Sequence, residues 1–217
     1  MPIDCFFADL THTGVGINAA TFPLGIGSIA AYTNKSFGQQ VTCSVFKFQS
    51  DLDAAFRDSF PQVLALSNYA WNSNLAYEVA QFVKTKSPET VIVMGGPNFP
   101  LDKANRYLFL SDRPSIDFYI KWDGEHAFVE LLTLLLSAQF DLDRLKKERF
   151  QSSNCCYISD GTYIEGPDHR FTDMATLPSP YVEGWFDYLF DYPLTPLIET
   201  TRGCPYSCTF CNDGPAI

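Results

Sequence analysis

Positive charge is scarce: 15 Lys and Arg stand against 25 Asp and Glu, a formal net charge of −10. Binding nucleic acid irrespective of its sequence needs clustered Lys and Arg to displace counterions from phosphates, so a nucleic-acid partner is disfavoured. Long apolar runs are missing too. A membrane-crossing helix requires about 20 such residues, and the longest candidate, 128–136, falls well short, so no membrane span is expected. The opening Met1-Pro2-Ile3-Asp4 has no basic stretch leading into an apolar segment and a small-residue cleavage site, so no secretory leader is expected either. There are no internal repeats and no low-complexity tracts.

What is present suits a packed domain. Hydrophobic residues make up 46% and aromatics 15% of 217 residues, enough for a substantial core and too many for a disordered chain. Seven cysteines is an odd number, and three of them fall between 204 and 211. The other four, Cys5, Cys43, Cys155 and Cys156, lie in strand-like runs and read as small buried side chains. A reducing cytoplasm fits this usage better than a disulfide framework.

From residue 3 onward short apolar runs alternate with helical patterns. Residues 3–10, 41–48, 63–69, 90–94 and 117–122 read as strands, the second with Val41, Cys43 and Val45 at period two. Residues 24–35, 52–59, 74–86, 101–110 and 124–137 read as helices. Leu75, Val79, Phe82 and Val83 fall at helical spacing while Glu78, Gln81 and Lys84 mark a polar face, and Phe128, Leu131, Leu132 and Leu135 make a second apolar stripe. Five successive β-α units predict an α/β fold, a flavodoxin-like doubly wound parallel five-stranded sheet in the order 2-1-3-4-5. Beyond it, 141–148 reads as a charged, solvated helix, and 154–158 with 162–165 as a hairpin about Asp160-Gly161.

Sheets of this kind bind ligands at the carboxyl ends of their strands, near the point where strand order reverses. Thr11-His12-Thr13-Gly14-Val15-Gly16 and Pro23-Leu24-Gly25-Ile26-Gly27 follow the first strand, and Ser67-Asn68-Tyr69-Ala70-Trp71-Asn72 the third. Gly95-Gly96-Pro97-Asn98 follows the fourth and Asp123-Gly124-Glu125 the fifth. Glycines let backbone approach a ligand closely. Each loop alone is an ordinary turn, but together on one sheet edge they mark a binding site. By themselves they leave a flavin, a nucleotide or a larger ring open.

The most specific stretch is Ile198-Glu199-Thr200-Thr201-Arg202-Gly203-Cys204-Pro205-Tyr206-Ser207-Cys208-Thr209-Phe210-Cys211, with a CxxxCxxC spacing. Thiolates hold iron-sulfur clusters, and three ligands on a four-iron cluster leave one iron open for chemistry. A zinc site would pair two CxxC knuckles or add histidine, and 212–217 contain neither cysteine nor histidine. The run resembles the signature of the radical S-adenosylmethionine (SAM) superfamily. The resemblance implies that Cys204, Cys208 and Cys211 ligate a 4Fe-4S cluster, that Phe210 flanks the SAM adenine, and that SAM is cleaved to a deoxyadenosyl radical. It also implies a reducing electron donor such as flavodoxin or ferredoxin.

A second resemblance covers 1–140. Pro-Leu-Gly-Ile-Gly-Ser-Ile-Ala-Ala-Tyr, the Ser-Asn-Tyr strand end, Val-Ile-Val-Met-Gly-Gly-Pro-Asn and Gly-Glu-x-Ala-Phe resemble the cobalamin-binding domain of cobalamin-dependent radical SAM enzymes. Carried over by position, the cobalamin contacts are Thr11, His12, Ser67, Asn68, Gly95, Gly96, Pro97, Asn98, Gly124 and Glu125. Asp9 and Gly14 keep the spacing of a DxHxxG loop whose His ligates cobalt in other cobalamin proteins, but Thr stands at 11 and His at 12. His12 is therefore read as a loop histidine bonded to backbone or cofactor, with ligation of cobalt the alternative. No chemistry is assigned to His126 or His169.

The resulting organisation is a cobalamin-binding Rossmann-like domain at 1–140, a helix, hairpin and linker at 141–193, and at 194–217 the first strand and cluster loop of a radical SAM barrel. Trp185, Phe186, Tyr188, Phe190 and Tyr192 are expected to pack against that barrel, whose first strand is 194–200. A whole barrel takes about 200 residues or more, and the sequence stops six residues after Cys211, so this chain alone is expected to show no turnover. The function implied is part of a cobalamin-dependent radical SAM enzyme acting by radical methyl transfer on an organic substrate. The alternative is a stand-alone cobalamin carrier or sensor without catalysis.

Overall fold

Branched and aromatic residues at alternating positions set the strands, and short polar turns separate them from the helices. The computed structural model describes residues 2–14, 20–171 and 173–203. In chain order the elements are β1 (Ile3–Thr11), α1 (Leu24–Phe37), β2 (Val41–Phe48), α2 (Gln49–Asp58), β3 (Val63–Ser67), α3 (Ser73–Lys86), β4 (Val91–Gly95), α4 (Lys103–Ser111), β5 (Phe118–Ile120) and α5 (Gly124–Ser137). Then come α6 (Leu142–Lys147), β6 (Cys155–Ser159) and β7 (Thr162–Glu165).

The first five strands are parallel in the order β2-β1-β3-β4-β5, as the alternation of elements predicts. Side chains of successive strand residues point to opposite faces, and both faces are covered. Cys5, Phe7, Val63, Ala65, Val91, Val93, Phe118 and Ile120 pack with α1 and α5. Phe6, Ala8, Leu10, Leu64, Leu66, Ile92, Met94 and Tyr119 pack with α2, α3 and residues of α4.

Two features differ from the sequence expectation. The hairpin joins the sheet: β6 runs antiparallel to β5, pairing Cys156 with Tyr119 and Cys155 with Ile120, so the sheet has seven strands. An uncovered β5 would leave a row of unpaired backbone groups, and the hairpin satisfies them. The aromatic linker also packs elsewhere than expected. Phe186 and Leu189 are fully buried in the cluster of α1 and α5, the Tyr188 hydroxyl donates to the Val45 carbonyl at 2.9 Å, and Tyr192 lies 4.5 Å from Phe48. Gly27 makes room for this, since a Cβ there would stand 2.3 Å from Phe186 Cζ.

Boundaries shift where local chemistry decides them. Helix α4 begins at Lys103 because the Asp102 carboxylate accepts from the Asn105 amide at 3.0 Å. Strand β5 is short, and Trp122 beyond it turns to a φ of 60°. Helix α6 is not wholly solvated, because Leu145 is buried. The stretch 194–200, expected as a strand, makes a single bridge between Thr195 and Thr21 among the described residues. A strand needs a neighbour along its length, and the described residues supply one at that point alone.

Candidate functional site at the carboxyl edge of the sheet

The carboxyl ends of β3, β4 and β5 open into a cleft of about 350 Å³. Its floor is apolar, built from Ile26 and Ile29 of α1, Ala65, Val93, Ile120 and Phe128. Backbone forms much of its rim at Gly25, Gly95, Gly96 and Gly124. Gly96 is required there: its φ is +130°, and a Cβ would lie 2.6 Å from the Asn68 carbonyl oxygen. At Gly124 a Cβ would lie 2.5 Å from Ile29 Cδ1, so α5 starts pressed against α1. Gly25 is different, because a Cβ there meets only the Tyr69 hydroxyl, at 3.6 Å.

Beside the cleft lies a buried polar cluster that joins Asp9, Ser67 and Asn72 to Lys47, a residue no sequence motif includes. Lys47, 0% exposed in the middle of an apolar run, donates to Asp9 Oδ2 at 2.9 Å. Asp9 Oδ1 accepts from Ser67 Oγ at 2.5 Å and from Asn72 Nδ2 at 3.1 Å. Asn72 also donates to the Leu10 carbonyl and accepts from the Tyr69 amide, tying the loop after β3 to the end of β1. A Lys in a strand-like apolar run and an Asp in another were the available signal, since neither is buried without a partner. Tyr69 lines the cleft and stacks on Trp71 at 4.6 Å; burial, then the Asp9 and Glu199 carboxylates, push its hydroxyl up to about 12.

A second cluster closes the far wall. Glu165 of β7 binds Arg106 at 2.7 Å, Lys121, and Lys103 at 3.3 Å, while Lys121 also reaches Asp168 at 2.5 Å. Burial alone would raise the Glu165 pKa, but Lys121 and Arg106 outweigh it and hold the carboxyl below its usual range. The third wall is Arg202, whose guanidinium takes both oxygens of Glu125, at 2.7 and 2.5 Å, and Glu199 at 3.1 Å. Burial would lower the Arg202 pKa, yet the two carboxylates raise it. Asp123 and the buried Glu125 sit at the start of α5, where a helix dipole favours negative charge. That position is thus already occupied by carboxylates, which weighs against a flavin or nucleotide phosphate bound there.

The residues expected from sequence divide into three groups. Ser67, Gly95, Gly96, Pro97, Gly124 and Glu125 line the cleft together. Thr11 is buried at the end of β1, and Asn68 is fully buried, donating to Tyr119 Oη at 3.0 Å and the Asn98 carbonyl at 2.9 Å. Asn68 shapes the rim from behind and Asn98 is exposed beside it, whereas His12 is exposed on the loop after β1 and does not line the cleft. Cys204, Cys208, Phe210 and Cys211 lie outside the described residues. The four remaining thiols are free, and burial pushes Cys5 and Cys155 far up, Cys43 to about 12 and Cys156 to about 11, so they are inert packing groups.

No helix among the described residues is long and apolar enough to cross a membrane. Residues 15–132 match the B12 binding domain family. Over 215 residues the chain is 33% identical to the 2-(S-pantetheinyl)-carbapenam-3-carboxylate methyltransferase of Streptantibioticus cattleyicolor, covering 93% of this chain and 30% of that protein. It is 35% identical over 164 residues to the cobalamin-dependent radical SAM methyltransferase TokK of Streptomyces tokunonensis, covering 72% of this chain and 22% of that protein. The solved structure of the cobalamin-dependent S-adenosylmethionine radical enzyme OxsB with aqua-cobalamin and S-adenosylmethionine bound superposes with a TM-score of 0.69 at 17% identity, over 97% of this chain and 28% of that one. The chain thus spans less than a third of the length of these proteins.

Proposed function

The chain belongs to the cobalamin-dependent radical SAM family and carries its B12-binding domain, and from that premise we propose that the cleft at the ends of β3, β4 and β5 seats the corrin of cobalamin for radical methyl transfer to an organic substrate. The observation that carries this reading is the glycine rim over an apolar floor. A corrin is a broad, largely uncharged ring edged with amides, and the open cleft offers it apolar surface from Ile29, Ile120 and Phe128 with side-chain-free backbone at Gly95 and Gly96 that it can approach closely. In this reading Ser67, Pro97 and Gly124 also contact the cofactor, while Thr11, Asn68 and Asn98 support its loops and His12 reaches it from outside the cleft.

In this reading Cys204, Cys208 and Cys211 would hold a 4Fe-4S cluster and Phe210 would flank SAM, as the resemblance of the CxxxCxxC run implies. When bound, these groups supply one-electron chemistry and cobalamin supplies the methyl group. The protein's part is to orient the cofactors and exclude water. A flavodoxin or ferredoxin serves as electron donor, and the free thiols support a reducing cytoplasm as the compartment.

The test is iron and sulfide analysis of the chain after anaerobic reconstitution. About four irons per chain are expected, as this cluster type requires, falling to background in Cys204→Ala. Cobalamin binding with no iron uptake would replace this reading with that of a cobalamin carrier or sensor.

A further inference from the structure

Among the described residues Arg106, Lys121, Arg170 and Arg202 bring positive charge to the lining of the cleft. Two of them meet carboxylates that line it with them: Arg170 lies 3.8 Å from Asp123, and Arg202 binds Glu125 and Glu199. The other two do not. Arg106 and Lys121 pair with Glu165, and Lys121 also with Asp168, yet neither of those carboxylates lines the cleft. The bases stand in this wall and the acids stand behind it.

Burial makes that asymmetry count. Side-chain exposure is 8% for Arg106, 6% for Lys121 and 8% for Glu165, against 63% for Asp168 and 78% for Lys103, whose charges water screens. Arg106 and Lys121 therefore share one buried carboxylate, and buried charge without a full partner is costly. Each cation also keeps a donor. Arg106 places Nε on the Pro100 carbonyl and Nη1 on Glu165, both at 2.7 Å, which leaves Nη2 without an acceptor among the described residues. Lys121 has three N–H donors for its two carboxylates, Glu165 and Asp168. Both residues are held in place: the guanidinium lies 5.6 Å from the Phe99 ring, and the Lys121 amide donates to the Asn154 carbonyl at 3.0 Å.

We propose that Arg106 and Lys121 form an anion subsite in this wall of the cleft, and that it takes a phosphate-class oxyanion. A guanidinium and an ammonium side by side can each donate to a separate oxygen of a tetrahedral anion. The start of α5, where Asp123 and Glu125 already stand, is not part of the subsite. The oxyanion has two possible sources. One is cobalamin itself, whose peripheral amides are neutral and whose single anionic group is the phosphodiester of its nucleotide tail; this source rests on the proposed seating of the corrin. The other is a separate small phosphate.

The experiment titrates the full chain by visible absorbance with hydroxocobalamin and with diaquacobinamide, which has the corrin but lacks the nucleotide tail. Thermal denaturation with and without inorganic phosphate, at constant ionic strength, forms the second arm. If the oxyanion is cobalamin's own, wild type binds cobalamin about tenfold or more tighter than cobinamide, the effect of one charge-assisted hydrogen bond. In Arg106→Gln and Lys121→Gln, with far-UV circular dichroism confirming folding, that ratio falls to about 1 while cobinamide affinity holds. If the oxyanion is a separate phosphate, wild type binds the two corrinoids alike, and inorganic phosphate raises the denaturation midpoint of wild type but of neither variant. Side chains that only held the wall would weaken both corrinoids equally and leave the ratio unchanged. A wild type with no preference for cobalamin and no response to phosphate overturns the inference while leaving the corrin assignment standing, as does a preference kept in both variants without a phosphate response. A wild type that binds neither corrinoid overturns the corrin assignment, and the phosphate arm alone then decides the subsite.

Discussion

Lys47→Met is expected to destabilise the fold by about 3–5 kcal/mol, the range for breaking a buried ion pair from one side. The side chain it removes is wholly buried and donates to Asp9, itself 7% exposed. Without it the partners of the Asp9 carboxylate among the described residues are Ser67 and Asn72, both neutral. Desolvation of an unpaired charge then dominates, and the methionine's better hydrophobicity does not offset it. The double replacement Asp9→Leu with Lys47→Met removes both charges and is expected to cost less than either single change, although Ser67 and Asn72 lose an acceptor. Urea denaturation midpoints at constant slope measure both effects. A loss under about 1 kcal/mol for Lys47→Met would mean that Asp9 is not held as an ion there. Because Asn72 ties the Tyr69 loop to Leu10 through this cluster, the damage reaches the cleft rim.

Gly96→Ala is expected to cost about 3 kcal/mol or more, combining backbone strain with a clash. Its φ of +130° is one that residues with a side chain rarely adopt. The added carbon would also stand 2.6 Å from Asn68 O and 3.0 Å from Asn68 N, and that amide already donates to the Gly95 carbonyl at 2.6 Å. Backbone held at the end of a central strand by that bond cannot move aside as a flexible side chain can. Gly161→Ala separates the two terms, since Gly161 has a φ of +71° in the β6–β7 turn and nothing within 4 Å. It should cost only about 1–2 kcal/mol, the strain alone. Thermal denaturation of the three proteins checks this order, and equal losses would show that the contact with Asn68 contributes nothing.

Periodicity made the parallel sheet legible. Runs such as Val63 to Leu66 and Val91 to Met94 are apolar throughout because helices cover both faces, and that pattern specifies a central parallel strand. The glycine rim was legible for a related reason: Gly95 and Gly96 follow a strand directly, where close backbone approach has a use. The edge position of the hairpin was not, because Asp160-Gly161 fixes a turn but says nothing about which strand lies beside it. Linker aromatics such as Phe186 announce burial without naming the surface, which depended on the gap at Gly27. The charged clusters were hidden most deeply. Lys47 meets Asp9 across 38 residues and Arg202 meets Glu125 across 77, separations over which one sequence carries no pairing signal.

The most direct test of the account is a hydroxocobalamin titration of the chain beside Gly25→Leu, followed by visible absorbance and equilibrium dialysis. Gly25 lies in the first turn of α1 at the cleft wall, where a Cβ meets only the Tyr69 hydroxyl, so the larger side chain is tolerated by the fold and fills ligand space. Removing a helical glycine should also add up to about 1 kcal/mol of helix stability. Wild type is expected to bind one equivalent, and a folded Gly25→Leu to bind about tenfold or more weakly. No cobalamin bound by wild type, or equal affinity in the two proteins, would contradict the placement of the corrin in this cleft.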